Sequence, residues 1–176
     1  MESDEQAEYL DRLFRSTFHR VMAYCLRRAP GPVAEDAVAE VYAVAWQRRR
    51  DLPGDERDAV PWLLGVARKV LANQRRGRHR WARLLRRAGD LAVPPPAGGE
   101  GPDISAALAT LSATDREALR LAYWDGLSHR EIGVVLGISE GAATTRLHRA
   151  RTRLRARIVR NRPAHPAKPE GTPHAR

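Results

Sequence analysis

Twelve consecutive residues, Leu91-Ala92-Val93-Pro94-Pro95-Pro96-Ala97-Gly98-Gly99-Glu100-Gly101-Pro102, cut this 176-residue chain in two. Proline cannot donate a backbone hydrogen bond and glycine loses the most freedom on ordering, so neither a helix nor a buried strand is expected there. The stretch predicts an extended, flexible tether. What stands on either side must close its own core, and both sides read as helices. The fold expected is all-α: two small helical domains joined by a flexible linker, the second a helix-turn-helix domain. The divisions expected are a first unit over 1–82, a basic and then Pro/Gly-rich linker over 83–103, a second unit over 104–160, and a disordered tail over 161–176, where Pro163, Pro166, Pro169 and Pro173 stand.

In the first unit, Leu10, Leu13, Phe14, Phe18, Val21 and Cys25 recur near a 3.6-residue period, which predicts an amphipathic helix over 8–28 ended by Pro30-Gly31-Pro32. Cys25 falls on the apolar face and reads as core. As the single cysteine it excludes an internal disulfide and a paired-cysteine metal knuckle, and a reducing, cytoplasmic setting suits it. A second helix is expected from Pro32, with Ala34, Val38, Val41 and Ala45 as its apolar stripe through Trp46, and Glu35, Asp36 and Glu40 mostly off that stripe. Residues 47–58, with Pro53-Gly54, read as a loop, and a third helix as beginning at Pro61-Trp62 with Leu63, Val66 and Val70 inward. No apolar run approaches the roughly 20 residues of a membrane span, and the acidic start Met1-Glu2-Ser3-Asp4-Glu5 is unlike a signal peptide, so no membrane insertion is expected.

The second unit is punctuated by caps. Thr114-Asp115-Arg116-Glu117 reads as a capping box opening a helix that runs through Leu119, Leu121, Ala122 and Trp124 to Asp125-Gly126, and Ser128-His129-Arg130-Glu131 as another. Ile132, Val135 and Leu136 then form an inward stripe, Gly137 ends the helix in the left-handed conformation, and Ser139 caps the next. Two short helices joined by Gly137-Ile138-Ser139, with the small Gly133 at their crossing, form the arrangement that presents a second helix to the DNA major groove. Along that helix, expected over 139–157, Ala143, Leu147, Ala150 and Leu154 share one face. Thr144, Thr145, Arg146, His148, Arg149, Arg151 and Arg155 point outward or flank it. Arginine pairs with guanine edges, and threonine touches phosphate or a thymine methyl.

The charge is segregated in keeping with this. Residues 66–90 carry nine basic and one acidic side chains, a net of +8, and residues 141–176 carry ten and one, a net of +9, whereas residues 1–65 are net −3. The whole chain stands at +10. Two separated cationic blocks point to one polyanion gripped in two places, with nucleic acid ahead of an anionic membrane surface.

The run Leu127-Ser128-His129-Arg130-Glu131-Ile132-Gly133-Val134-Val135-Leu136-Gly137-Ile138-Ser139-Glu140-Gly141, followed by Arg146-Leu147-His148-Arg149-Ala150-Arg151, resembles region 4 of bacterial sigma factors of the extracytoplasmic-function (ECF) group of the sigma-70 family. Ala34-Glu35-Asp36-Ala37-Val38-Ala39-Glu40-Val41-Tyr42 with Pro61-Trp62-Leu63-Leu64-Gly65-Val66-Ala67-Arg68 is similar to region 2 of the same family, in the same order. The resemblance spans roughly 9–157. It implies a dissociable, non-enzymatic subunit that binds RNA polymerase core at its clamp and flap regions, directs promoter-specific initiation and answers to an anti-sigma factor. On that likeness Glu35, Asp36 and Glu40 dock on the polymerase clamp. Asn73 and Gln74 hydrogen-bond base edges of the unpaired minus-10 strand, while Arg68, Lys69, Arg75 and Arg76 hold its phosphates. Thr144, Thr145, Arg146, His148, Arg149 and Arg151 meet the minus-35 duplex of promoter DNA. The chain departs from the family's usual pattern at Ala39, Lys69, Asn73, Ala143 and Thr144, positions tied by that likeness to polymerase contact and promoter preference.

Two other readings compete. A stand-alone helix-turn-helix regulator acting without core would use the second unit alone, and a DNA-processing enzyme would need catalytic groups that residues 1–90 do not cluster. The six histidines show no metal-ligand spacing, and no Ser/His/Asp or paired-carboxylate arrangement stands out, so no metal, cofactor or catalytic residue is expected. Trp46, Trp62 and Trp124 read as core, and Trp81, set among Arg78, His79, Arg80 and Arg83, as a candidate for stacking on a base.

Overall fold

The computed structural model describes residues 3–87 and 107–161, and among them every regular element is helical. The tether over 91–102 and the proline-rich tail from Arg162 lie outside the described residues. The first bundle consists of α1 (Ser3–Leu26), α2 (Gly31–Gln47), a 3-10 turn at Arg49–Asp51, and α3 (Glu56–Arg87). A helical turn over 107–109 leads into the second, made of α4 (Ala113–Tyr123), α5 (His129–Leu136) and α6 (Glu140–Asn161).

The stripe on α2 buries as its period predicts, with Ala34, Val38, Val41 and Ala45 inside and Glu35, Asp36 and Glu40 exposed. It meets Leu10, Leu13, Val21 and Cys25 of α1 and Leu63, Val66 and Val70 of α3. Each large aliphatic side chain taken fully out of water there contributes about 1.5–3 kcal/mol. Phe14 is the exception on the α1 stripe: it stays partly exposed and packs its ring against the edge of Tyr42, 4.7 Å between centroids. Thr17 takes a core position instead, because its hydroxyl donates to the Leu13 carbonyl at 2.6 Å and needs no water.

The third helix starts five residues before the expected Pro61. Asp55 caps it: the carboxylate accepts from the Arg57 N–H at 2.9 Å, and the carbonyl accepts from Asp58 and Ala59. Ala59 and Val60 are buried, so the core draws this turn into the helix and leaves Pro61 inside it, fully buried, where the ring removes one intrahelical bond. At its far end α3 continues to Arg87, into the stretch expected as linker.

The box expected at Thr114–Glu117 does not form. Ser112 is the N-cap of α4, its side chain accepting from the Asp115 N–H at 3.1 Å, and Asp115 and Glu117 are drawn into ion pairs by arginines distant in sequence. The box at α5 is present: Ser128 Oγ accepts from the Glu131 N–H at 3.3 Å, and the Glu131 carboxylate accepts from the Ser128 N–H at 2.8 Å. Gly137 ends that helix at φ 70°, left-handed as its position demands. Gly133 is required by closeness: a Cβ there would lie 2.8 Å from the carbonyl oxygen of Ile138.

The two bundles close on one another. α5 lies against α3, where Gly65 faces the backbone of Val135, and Arg130 on α5 pairs with Asp58 on α3. At the other end Arg28, only 7% exposed, inserts between Glu117 (2.9 Å) and Asp125 (2.7 Å), and Tyr24 donates its hydroxyl to Glu117 at 2.9 Å. Arg27 adds a second contact to Asp125. Burial pushes the Tyr24 phenol well above its ordinary pKa, and the neighbouring Glu117 carboxylate pushes it further. Burial alone would lower the Arg28 pKa, but Glu117, Tyr24 and Asp125 outweigh it and hold the guanidinium charged.

Two tryptophans expected in the core are at its edge. Trp46 is 47% and Trp124 43% exposed, and each lies under a guanidinium, Arg49 at 5.2 Å and Arg120 at 5.4 Å. Helical spacing places an indole near the core, but a ring of that size at a helix end is shielded by a cation from outside. Trp62 is half-buried with Arg48 at 5.5 Å, and Trp81 is exposed.

Candidate nucleic-acid interface

α6 is seated by its apolar face, with Ala143, Leu147 and Ala150 buried and Leu154 packed against the core. Its first turn is fixed by Ser139, whose Oγ accepts from the Ala142 N–H at 3.2 Å. Thr144, Thr145, His148 and Arg149 are left outward and exposed. Thr145 donates to the Gly141 carbonyl at 3.0 Å. Thr144 donates to the Glu140 carbonyl at 3.0 Å, which leaves its oxygen to accept from His129 Nδ1, also at 3.0 Å. That contact ties the entry of α5 to the exposed face of α6. Arg149 makes no ion pair or side-chain hydrogen bond among the described residues, so its donors remain available.

Arg146 and Arg151, expected to point outward or flank the apolar face, turn toward the protein, and Arg153 joins them. Arg146 donates to Asp115 at 3.2 Å from one side, and Arg153 donates to the other carboxylate oxygen at 2.8 Å. Asp115 is nearly fully buried, so this pair of contacts neutralises a charge that would otherwise be costly. Arg151 lies over the Tyr123 ring at 5.4 Å with its Nε buried. Arg153 was absent from the sequence-based set. Its reach from the second turn beyond Arg146 to a buried acid on another helix leaves no local signal.

On α3, Arg68 and Gln74 are half-buried and Lys69, Asn73, Arg75 and Arg76 exposed. Arg76 donates to the Asn73 side-chain carbonyl, and Gln74 Nε2 donates to Glu40 Oε2 at 3.3 Å. The structure thus joins one residue of the acidic row on α2 to one of the base-contact candidates on α3, while Glu35 and Asp36 stand clear on the surface. Arg68, Lys69 and Arg75 have no ion-pair or hydrogen-bond partner among the described residues. Such a row of unpaired cations beside amide side chains suits a phosphate backbone with bases alongside. Among the described residues no group of three or more His, Cys, Asp and Glu is placed to hold a metal, and no helix is long and apolar enough to cross a membrane.

The family model for sigma-70, region 4 matches residues 103–154, which include α4, α5 and most of α6. The ECF RNA polymerase sigma factor SigL of Mycobacterium tuberculosis is 34% identical over 132 residues, covering 69% of this chain and 72% of SigL. The RNA polymerase sigma factor CarQ of Myxococcus xanthus is 33% identical over 161 residues, covering 86% and 90%. Among solved structures, the sigma factor RpoE in complex with the anti-sigma factor NepR, from Bartonella quintana, superposes with a TM-score of 0.55 at 26% identity over 90% of this chain and 97% of that one. CnrH in complex with the cytosolic domain of CnrY shares the fold, with a TM-score of 0.58 at 21% identity over 86% and 88%. Relatives 33–34% identical are matched across both bundles, and the chain belongs to the ECF group of RNA polymerase sigma factors.

Proposed function

We propose that this sigma factor makes three separate contacts. The exposed row Glu35, Asp36 and Glu40 on α2 docks on the basic clamp of polymerase core, where opposite charge speeds encounter and fixes register. α3 captures the unpaired minus-10 strand, with Asn73 and Gln74 on base edges and Arg68, Lys69, Arg75 and Arg76 on phosphates. α6 enters the major groove of the minus-35 element with Thr144, Thr145, His148 and Arg149 foremost; Arg146 and Arg151 support it from their seats against α4. The protein acts in the cytoplasm as a non-catalytic subunit. Since the solved relative RpoE is held by the anti-sigma factor NepR, an anti-sigma factor is the regulator we assign to this chain as well.

The observation that carries the reading is the capped, closely crossed helix-turn-helix whose second helix leaves a contiguous polar and cationic face uncovered. Transcription with purified core tests it. Core plus this chain is expected to start at new promoters, and the chain alone to bind promoter duplex weakly. Tight, sequence-specific duplex binding by the free chain, with no new start sites on adding core, would instead establish a stand-alone regulator.

A further inference from the structure

The end of α1 and the turn after it, α3 and the start of α4 line an open cleft of about 520 Å³ between the two bundles. That volume falls in the range of small-molecule sites. Eight cationic side chains and one acidic side chain, Glu117, line it. Glu117 is already paired with Arg28 and accepts a hydrogen bond from the Tyr24 hydroxyl, so the cleft keeps a large positive excess. Arg116 is engaged as well, donating to the carbonyls of Leu108 and Leu111. Arg68, Lys69, Arg75 and Arg78, by contrast, have no ion-pair or hydrogen-bond partner among the described residues. Arg75 and Arg78, three positions apart on one helix face, repel one another. Between low-dielectric walls their field is focused into the cleft. Across from them the first turn of α4 presents Ala113 and Thr114, adding the positive end of an 11-residue helix.

We propose that this cleft binds a compact oligophosphate, a run of three or more phosphates either free or carried on a nucleoside. Arg68 to Arg78 spans about 15 Å of helix axis, a length such an anion covers with flexible guanidinium arms closing around it. Because the walls come from both bundles, the bound anion favours the closed chain over any arrangement in which the bundles separate. This binding does not rest on the promoter contacts proposed above. Where those contacts hold, the anion and the minus-10 strand exclude one another on α3.

Calorimetric titration of the full chain with tripolyphosphate, with ATP and with a short thymidine oligonucleotide tests the proposal. One saturable site for tripolyphosphate is expected, and ATP binding as tightly extends the site to phosphates carried on a nucleoside. Thr114→Glu places a carboxylate on the α4 wall at a helix start, where it favours folding, and Arg78→Ala removes an unpaired cation. Each is expected to weaken the anion about tenfold while leaving transcription without the anion unchanged; Arg149→Ala on α6 is expected to leave anion binding unaltered. Absence of saturable binding by either phosphate compound, or undiminished binding in Thr114→Glu, overturns the proposal. So does saturable binding of the oligonucleotide alone, which would make the cleft a strand site.

Discussion

α3 and α6 are both long, arginine-rich helices that bury one apolar stripe, yet they hold their cations differently. On α6 the buried Asp115 anchors Arg146 and Arg153, and Tyr123 lies under Arg151, so part of the positive charge fixes the helix on its own bundle. On α3 no acid among the described residues plays that part for Arg68, Lys69 and Arg75, and the contacts made by Asn73 and Gln74 lie at the surface. A helix that must present base-reading side chains at a set depth in a groove benefits from a rigid seat. A surface that receives a pliant single strand needs free charge and tolerates loose side chains.

The contrast can be broken most strongly at Asp115. Asp115→Ala leaves Arg146 and Arg153 without their acid and is expected to cost about 1–3 kcal/mol, the large exposure of Arg153 keeping it from more, as read by urea denaturation. An equal loss from Arg75→Ala would erase the distinction, since that residue has no ion-pair or hydrogen-bond partner among the described residues. Next in size, Arg149→Ala is expected to lower holoenzyme affinity for the minus-35 duplex about tenfold and to reduce the magnitude of the log-affinity salt slope by roughly 0.9, with folding stability unchanged. Arg146→Ala should do the reverse, losing stability with little change in slope. On α3, Arg75→Ala or Arg76→Ala is expected to reduce single-strand capture with a slope change of roughly 0.7 per phosphate lost. Asn73→Ala should shift base preference at constant slope; equal losses on every strand sequence would remove it from base reading.

The smallest expected effect lies in the core of the first bundle, on α1. Burial pushes the Cys25 thiol up to about 11, so the folded chain keeps this proton where the unfolded chain releases it. The associated stability is complete below about pH 9 and lost as pH rises toward 11, about 1 kcal/mol between pH 8 and pH 10. Cys25→Ala should flatten that decline in urea midpoints, and an unchanged slope would place the titration elsewhere.

Much of the second bundle was legible because its signals are local. Ser128 and Glu131 stand three residues apart, Gly137 and Ser139 flank one turn, and Ala143, Leu147 and Ala150 repeat at helical spacing. The same local logic misled at Thr114–Glu117, where the residue types fit a box but Arg28 and Arg146 compete for the acids from 89 and 31 positions away. It misled at Pro61, read as a helix start when Asp55 had already supplied the cap. Trp46 and Trp124 follow the period of the buried stripe, but period specifies direction and not depth. The outward set on α6 was legible as a face; which of its arginines turn back to α4 depended on Asp115 being buried, a fact of packing.

Arg28 has one further consequence, for any recombination of this chain. Its guanidinium is sealed against Glu117 and Asp125, both supplied by the other half. A chimera that grafts the helix-turn-helix of a relative onto this first bundle inherits a buried cation facing foreign chemistry, unless both acids travel with the graft. The joint therefore makes the two halves interchangeable only as a matched set.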